Sequence, residues 1–125
     1  MGFEMRPPPT DTGLQGPFGL ATDIIDDEVV EGRAGAYAIG YIDNMGRFNI
    51  TYVGSSHDNL NGRLKEHIGT AQFFKFRHLP TDRVAFEKEC ELFHDFRPRG
   101  NFLHPTRPDG TNWTCPRCRT VPLIR

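Results

Sequence analysis

Gly35-Ala36-Tyr37-Ala38-Ile39-Gly40-Tyr41-Ile42-Asp43-Asn44-Met45-Gly46-Arg47-Phe48-Asn49-Ile50-Thr51-Tyr52-Val53-Gly54 decides the fold. Ala36 to Ile42 is a β-branched and aromatic run that reads as a strand. Asp43 to Gly46 supplies the residues a reversal needs, and Phe48 to Val53 alternates as a return strand. The stretch is therefore a β-hairpin with one tyrosine near each outer end.

Periodic segments follow the hairpin. Asp58 or Asn59 can cap a helix that runs to about Ile68, with Leu60, Leu64, His67 and Ile68 on one face and Gly69 as a stop. Gln72 to Leu79 is rich in aromatics, ends at Pro80 and reads as a third strand. Thr81 or Asp82 can cap a second, longer helix to about Phe96. These elements predict an α+β domain, a three-stranded antiparallel sheet flanked by helices in the order β-β-α-β-α. The expected organisation is an acidic N-terminal arm over 1–33, a folded domain over 34–101 and a loop-rich tail over 102–125. Within the arm, Asp23 to Glu31 mixes acids with Ile24, Ile25, Val29 and Val30, as an amphipathic segment packing on the domain would.

The 125 residues, 37% apolar and 25% charged, suit one compact soluble domain with a single core. No apolar run approaches the roughly 20 residues that span a bilayer, and no basic-then-apolar leader opens the chain. Three cysteines make a poor disulfide framework, so an intracellular, reducing setting is expected, cytoplasmic or nucleoid-associated rather than secreted. The net charge of −1 hides an asymmetry. Residues 1–33 hold seven acids against Arg6 and Arg33, whereas residues 34–125 hold 13 Lys/Arg against nine Asp/Glu. A basic body suits a polyanion, and Lys75, Arg77 and Arg83 are the candidate phosphate contacts.

The chemistry-bearing residues have a recognisable order: Gly35-Ala36-Tyr37, Tyr52-Val53-Gly54, Arg63 four residues before His67, then Glu89. The spacing of four puts Arg63 and His67 on one helical face. In the second helix, at about 100° per residue, Glu89 shares a stripe with Phe86, Phe93 and Phe96, while Glu87 and Glu91 point away. An acid in an aromatic stripe needs a partner or a metal.

Over residues 34 to 101 this pattern resembles the GIY-YIG nucleases, with Ala36 and Val53 in place of the signature isoleucines. Leu92-Phe93 and Pro98…Asn101 fit the residues that follow that family's metal-binding glutamate. The resemblance implies an endonuclease that hydrolyses phosphodiester bonds, in DNA more than in RNA. Tyr37, with Tyr52, would orient or deprotonate the attacking water. Arg63 and His67 would hold the phosphate, and Glu89 would bind Mg²⁺ or Mn²⁺, for which a carboxylate is a suitable hard ligand. It also implies a separate recognition protein, since members usually take specificity from an attached domain. The alternatives are a non-catalytic nucleic-acid-binding module and a zinc-stapled protein-interaction domain.

A second metal set rests on spacing alone. Cys115-Pro116-Arg117-Cys118 is half of a zinc site, and Cys90 and His94 stand one helical turn apart. Cys90, His94, Cys115 and Cys118 would make a Cys₃His set for a structural Zn²⁺, with His104 or His57 as substitutes for His94.

Overall fold

The structure, a computed structural model, describes residues 11–124. Its elements in chain order are β1 (Gln15–Gly19), α1 (Thr22–Glu28), β2 (Gly35–Ile42), β3 (Phe48–Ser56), α2 (Leu60–Glu66), β4 (Phe73–His78) and α3 (Asp82–Phe96). The class is α+β. The sheet is antiparallel with spatial order β1-β4-β2-β3. It thus has four strands rather than three, and the chain order begins with a strand and a helix that the expected β-β-α-β-α lacks.

The hairpin forms as its sequence dictates. Tyr37 opposes Gly54, Ala38 opposes Val53 and Ile39 opposes Tyr52 before a bulge at Ile39/Gly40 shifts the register. Gly40 is required there, because a Cβ would run into the Asn49 carbonyl. The turn is organised by Asp43, which accepts hydrogen bonds from the amides of Met45 and Arg47 and from the Asn49 side chain. Those bonds, Asn49's first, lower its carboxyl pKa to about 2.

Alternation along β2 sorts the helices. Ala36 and Ala38 face a cluster that includes Val53, Ala85 and Leu92, with Phe93 and Phe96 against it, so α3 lies on this side. Tyr37 and Ile39 face the other way, onto Phe74, Phe76, Ile25, Val29, Leu60 and Leu64, where α1 and α2 pack. The caps of α2 and α3 are Asn59, accepting from the Gly62 amide, and Thr81, accepting from the Val84 amide.

Within the expected N-terminal arm, residues 15–19 make a strand, β1, while α1 is the amphipathic segment expected over Asp23 to Glu31, packed on the domain through Ile25 and Val29. Gly16, Pro17 and Gly19 disguise β1 as a loop, yet a proline is tolerated on an edge strand, and β1 pairs only with β4. Residues 1–10, with the Pro7-Pro8-Pro9 run, lie outside the described residues. In α1 the acids are exposed, Asp26 facing α2, and Ile25 is fully buried. Buried Asn61 on α2 ties this helix down by donating to the Val29 carbonyl (2.9 Å) and to Asp26 (3.2 Å), and Lys65 pairs with the same carboxylate at 2.6 Å.

β3 is the other edge of the sheet. The chain leaving α3 turns at Arg97, in the left-handed region (φ 46°), and returns along that edge. The Gly100 amide donates to the Thr51 carbonyl at 2.7 Å. The Asn101 side-chain amide both accepts from the Val53 amide (2.8 Å) and donates to its carbonyl (2.9 Å). Beyond it the tail has no long element, only an isolated bridge between Arg107 and Ile124. It is held to α3 by a cluster of Phe86, Cys90 and Cys115 with Trp113, and by a two-pronged Arg117–Asp95 ion pair at 3.0 and 2.9 Å. No described helix is long and apolar enough to cross a membrane.

Because Ile25 belongs to the core, Ile25→Ala is expected to cost about 2–5 kcal/mol in urea unfolding. A loss within about 0.5 kcal/mol, the range of a surface substitution, would mean that α1 is an appendage.

Candidate functional site

Tyr37, Tyr52 and His67 form one ring cluster on the α1/α2 side of the sheet. The Tyr37 Oη lies 2.6 Å from His67 Nε2. The His67 ring is 5.2 Å from both tyrosine rings, and the two tyrosine rings are 6.3 Å apart. His67 is the C-cap of α2, one turn beyond Arg63, so helical spacing delivers both to this place. Gly54 has a role not evident from its position at a strand end. A Cβ there would collide with the Tyr37 hydroxyl, so the missing side chain is the space the phenol occupies.

Glu89 lies on α3, which packs on the opposite face of the sheet. Its Oε1 accepts a hydrogen bond from Ser55 Oγ at 2.5 Å. Its charge acts on both phenols, as does that of Arg63 with opposite sign. Glu87 and Glu91 instead make long surface pairs with Arg83 and Lys88, both at 3.8 Å. Of the three acids on α3, Glu89 thus bonds to the sheet, while the other two pair with cations of their own helix. Arg63 is half exposed and pairs with Glu66 at 3.0 Å, a contact of the kind that solvent weakens.

The environment assigns protons. Tyr37 is only 2% exposed, and burial drives its pKa far above that of a free phenol. Burial, and then the Glu89 charge, also raise Tyr52. Burial followed by the Arg63 charge lowers His67. At neutral pH the cluster holds two protonated phenols and a neutral imidazole. The expectation that Tyr37 deprotonates a water does not suit a covered phenol; Tyr52 is the more open of the two.

Tyr52 and His67 line a hollow of about 360 Å³ with Thr51, Thr70 and Arg99. Thr51 and Arg99 also line a larger one, about 740 Å³, on the α3 side, where Arg47, Phe48, Lys75 and Arg97 gather. Lys75 sits 5.3 Å over the Phe48 ring. Of the three expected phosphate contacts, only Lys75 lies here. Arg77 is an exposed residue of β4, and Arg83 is in the first turn of α3 beside Glu87. Arg47, Arg97 and Arg99 stand with Lys75 in the larger hollow. The first was hidden in a turn, while the other two belong to the arginine-rich run after α3.

The His/Cys set differs from the expected one by one residue. Ligand atoms of His94, His104, Cys115 and Cys118 lie within 4.8 Å of one another, and this group could hold a metal ion such as zinc. Cys90 is not among them. It is fully buried beneath Phe86 and Trp113, and burial pushes its thiol well above the usual range. Spacing of four on a helix gave Cys90 and His94 a common face, but the tail's core takes the cysteine. His104 joins His94 rather than substituting for it, and His57 pairs with Asp58 at 3.3 Å. The Cys118 thiol is lowered to about 6, first by its hydrogen bond with the Thr120 hydroxyl.

Comparison with protein-family models, with curated proteins and with solved structures gives no match.

Two outcomes are expected. Gly54→Ala should cost about 1–3 kcal/mol through overpacking and break the Tyr37–His67 bond, seen as a changed His67 imidazole resonance. For His67, a lowered pKa means that folding favours the neutral ring. Its contribution to stability is present above about pH 6.5 and declines as the pH falls from there through the folded value. The thermal midpoint should therefore drop less between about pH 7 and about pH 5 in His67→Gln than in the wild type; equal drops would remove His67 as a source of acid sensitivity.

Proposed function

We propose that this chain is a metal-dependent endonuclease of the GIY-YIG type, with DNA as the favoured polymer. The observation that supports the reading is the Tyr37–Tyr52–His67 ring cluster, with Arg63 one helical turn before His67 and with the charges of Arg63 and Glu89 acting on both phenols. The basic hollow continuing from Tyr52 past Arg99 supplies a surface for a phosphate backbone.

The cofactor proposed at Glu89 is Mg²⁺ or Mn²⁺. The donor set fits: one carboxylate beside a hydroxyl, Ser55, offers hard oxygens only and leaves coordination positions for water and phosphate. When bound, such an ion offsets charge on the leaving oxygen. The residues of the chain do the remainder. Tyr52, facing the open hollow, orients the attacking water, and the neutral His67 ring beside it can receive a proton. Tyr37 fixes that imidazole through its 2.6 Å hydrogen bond. Arg63 turns from Glu66 to the phosphate and stabilises the charge that builds as the water oxygen bonds to phosphorus and the ester bond breaks. Zn²⁺ in the His94–His104–Cys115–Cys118 cluster has a structural part in this reading, because four protein ligands leave no open position. A reducing, intracellular setting suits the three free cysteines, and a separate recognition protein would supply target choice.

The test offers supercoiled plasmid, branched DNA and structured RNA to wild type, Glu89→Ala and Glu91→Ala, each with Mg²⁺, Mn²⁺ or EDTA. Metal-dependent cutting is expected from wild type and Glu91→Ala and not from Glu89→Ala. Arg63→Ala should lose about 10²–10³-fold in rate. Equal activity in the two glutamate variants would sink the assignment. Folded protein that binds nucleic acid without cutting any of the three would leave a binding module instead.

A further inference from the structure

We infer that His94, His104, Cys115 and Cys118 form a closed zinc site whose task is to hold the segment between the two histidines in place. The inference stands whether or not the neighbouring site cuts nucleic acid. Four observations converge on it.

The first is the donor set. Tetrahedral bonds of about 2.0–2.3 Å put neighbouring ligand atoms about 3.3–3.8 Å apart. The Cys118 Sγ to His104 Nε2 distance is 3.5 Å, and the whole set falls within 4.8 Å. Two imidazoles and two thiols select a borderline-soft ion over Mg²⁺ or Ca²⁺. The second is the His104 tautomer. Its Nδ1 is 2.8 Å from the Pro105 carbonyl, which can only accept, so Nδ1 carries the proton and Nε2 turns a lone pair toward Cys118. A metal-binding histidine is typically oriented by such a backbone carbonyl. The third is His94, whose Nε2 is the one buried side-chain nitrogen or oxygen without a hydrogen-bond partner among the described residues. A buried polar atom of that kind asks for an explanation, and a bound cation is one. The fourth is the Cys115–Cys118 turn. The Arg117 amide donates to Cys115 Sγ at 3.4 Å, and the Arg119 amide donates to the Cys115 carbonyl at 2.8 Å. This turn holds the two cysteines of the pair within the cluster.

Placement gives the site its purpose. His94 lies in the last turn of α3 and His104 lies in the tail, so an ion held by both closes a loop over 95–103. That loop contains Arg97 and Arg99 of the basic hollow, and Gly100 and Asn101, whose bonds cover the β3 edge beside Tyr52. Closing it removes much of the freedom the segment would have on its own. The Val53 amide, which donates to the Asn101 side chain, is the reporter.

The experiment measures metal content and amide exchange on the full chain. The wild type is expected to carry one zinc per chain, and cobalt substitution should give the intense visible bands of tetrahedral, thiolate-bound Co²⁺. His104→Ala and Cys118→Ser should lose the metal, Cys90→Ser should keep it, and His104→Cys should restore it. Stripping zinc with a strong chelator should speed exchange at Val53 by about tenfold or more while core amides such as Phe74 stay protected. Four results would overturn the inference: protein without zinc after purification in zinc-supplemented medium, a Cys115–Cys118 disulfide under reducing conditions, zinc retained by Cys118→Ser but lost by Cys90→Ser, or Val53 protection unchanged on zinc removal.

Discussion

The two faces of β2 are unlike in size, and both layers of helices depend on that difference. Ala36 and Ala38 carry only methyl groups, so α3 can settle close to the sheet over Leu92 and Phe93. Tyr37 and Ile39 put their bulk on the reverse, where α1 and α2 close over Phe74 and Phe76. A one-residue slip in pairing would send the tyrosine under α3 and leave methyl groups beneath α2. That register holds from Gly35 to Ile39 and shifts at the Ile39/Gly40 bulge, where Thr51 bonds back to the Ile39 carbonyl at 3.2 Å.

Because the sheet separates α2 from α3, the candidate residues come from both of its faces. The ring cluster lies on one side, Glu89 on the other, and the thin point between them is Gly54-Ser55. The glycine admits the phenol, and the serine next to it holds the carboxylate. A cluster buried in this manner keeps its phenols protonated and its imidazole neutral, while the charged members, Arg63 and Glu89, stay within reach of solvent on either side.

Much of this was legible in the chain. The hairpin, both capped helices and β4 follow from apolar periodicity and from Asn59 and Thr81. β1 was not legible, because Gly16, Pro17 and Gly19 are what a loop also looks like, and only pairing with β4 makes them a strand. Cys90 misled for a similar reason: spacing of four fixes a shared helix face but not which neighbour covers it. His104 had no periodic context at all, and its nearness to His94 depends on the reversal at Arg97. The identities of the candidate catalytic residues came from a resemblance in motif order, which periodicity does not supply.

The Asn101–Val53 pairing has a consequence apart from chemistry. An open β-strand edge is a template on which another chain can add itself. Here one edge carries Pro17 and glycines, which pair poorly, and the other is occupied by Gly100 and Asn101. Both ends of the sheet are thereby blunted against strand addition. The segment that shapes the hollow beside Tyr52 thus also occupies backbone groups of β3 at Thr51 and Val53 on which a further strand would pair.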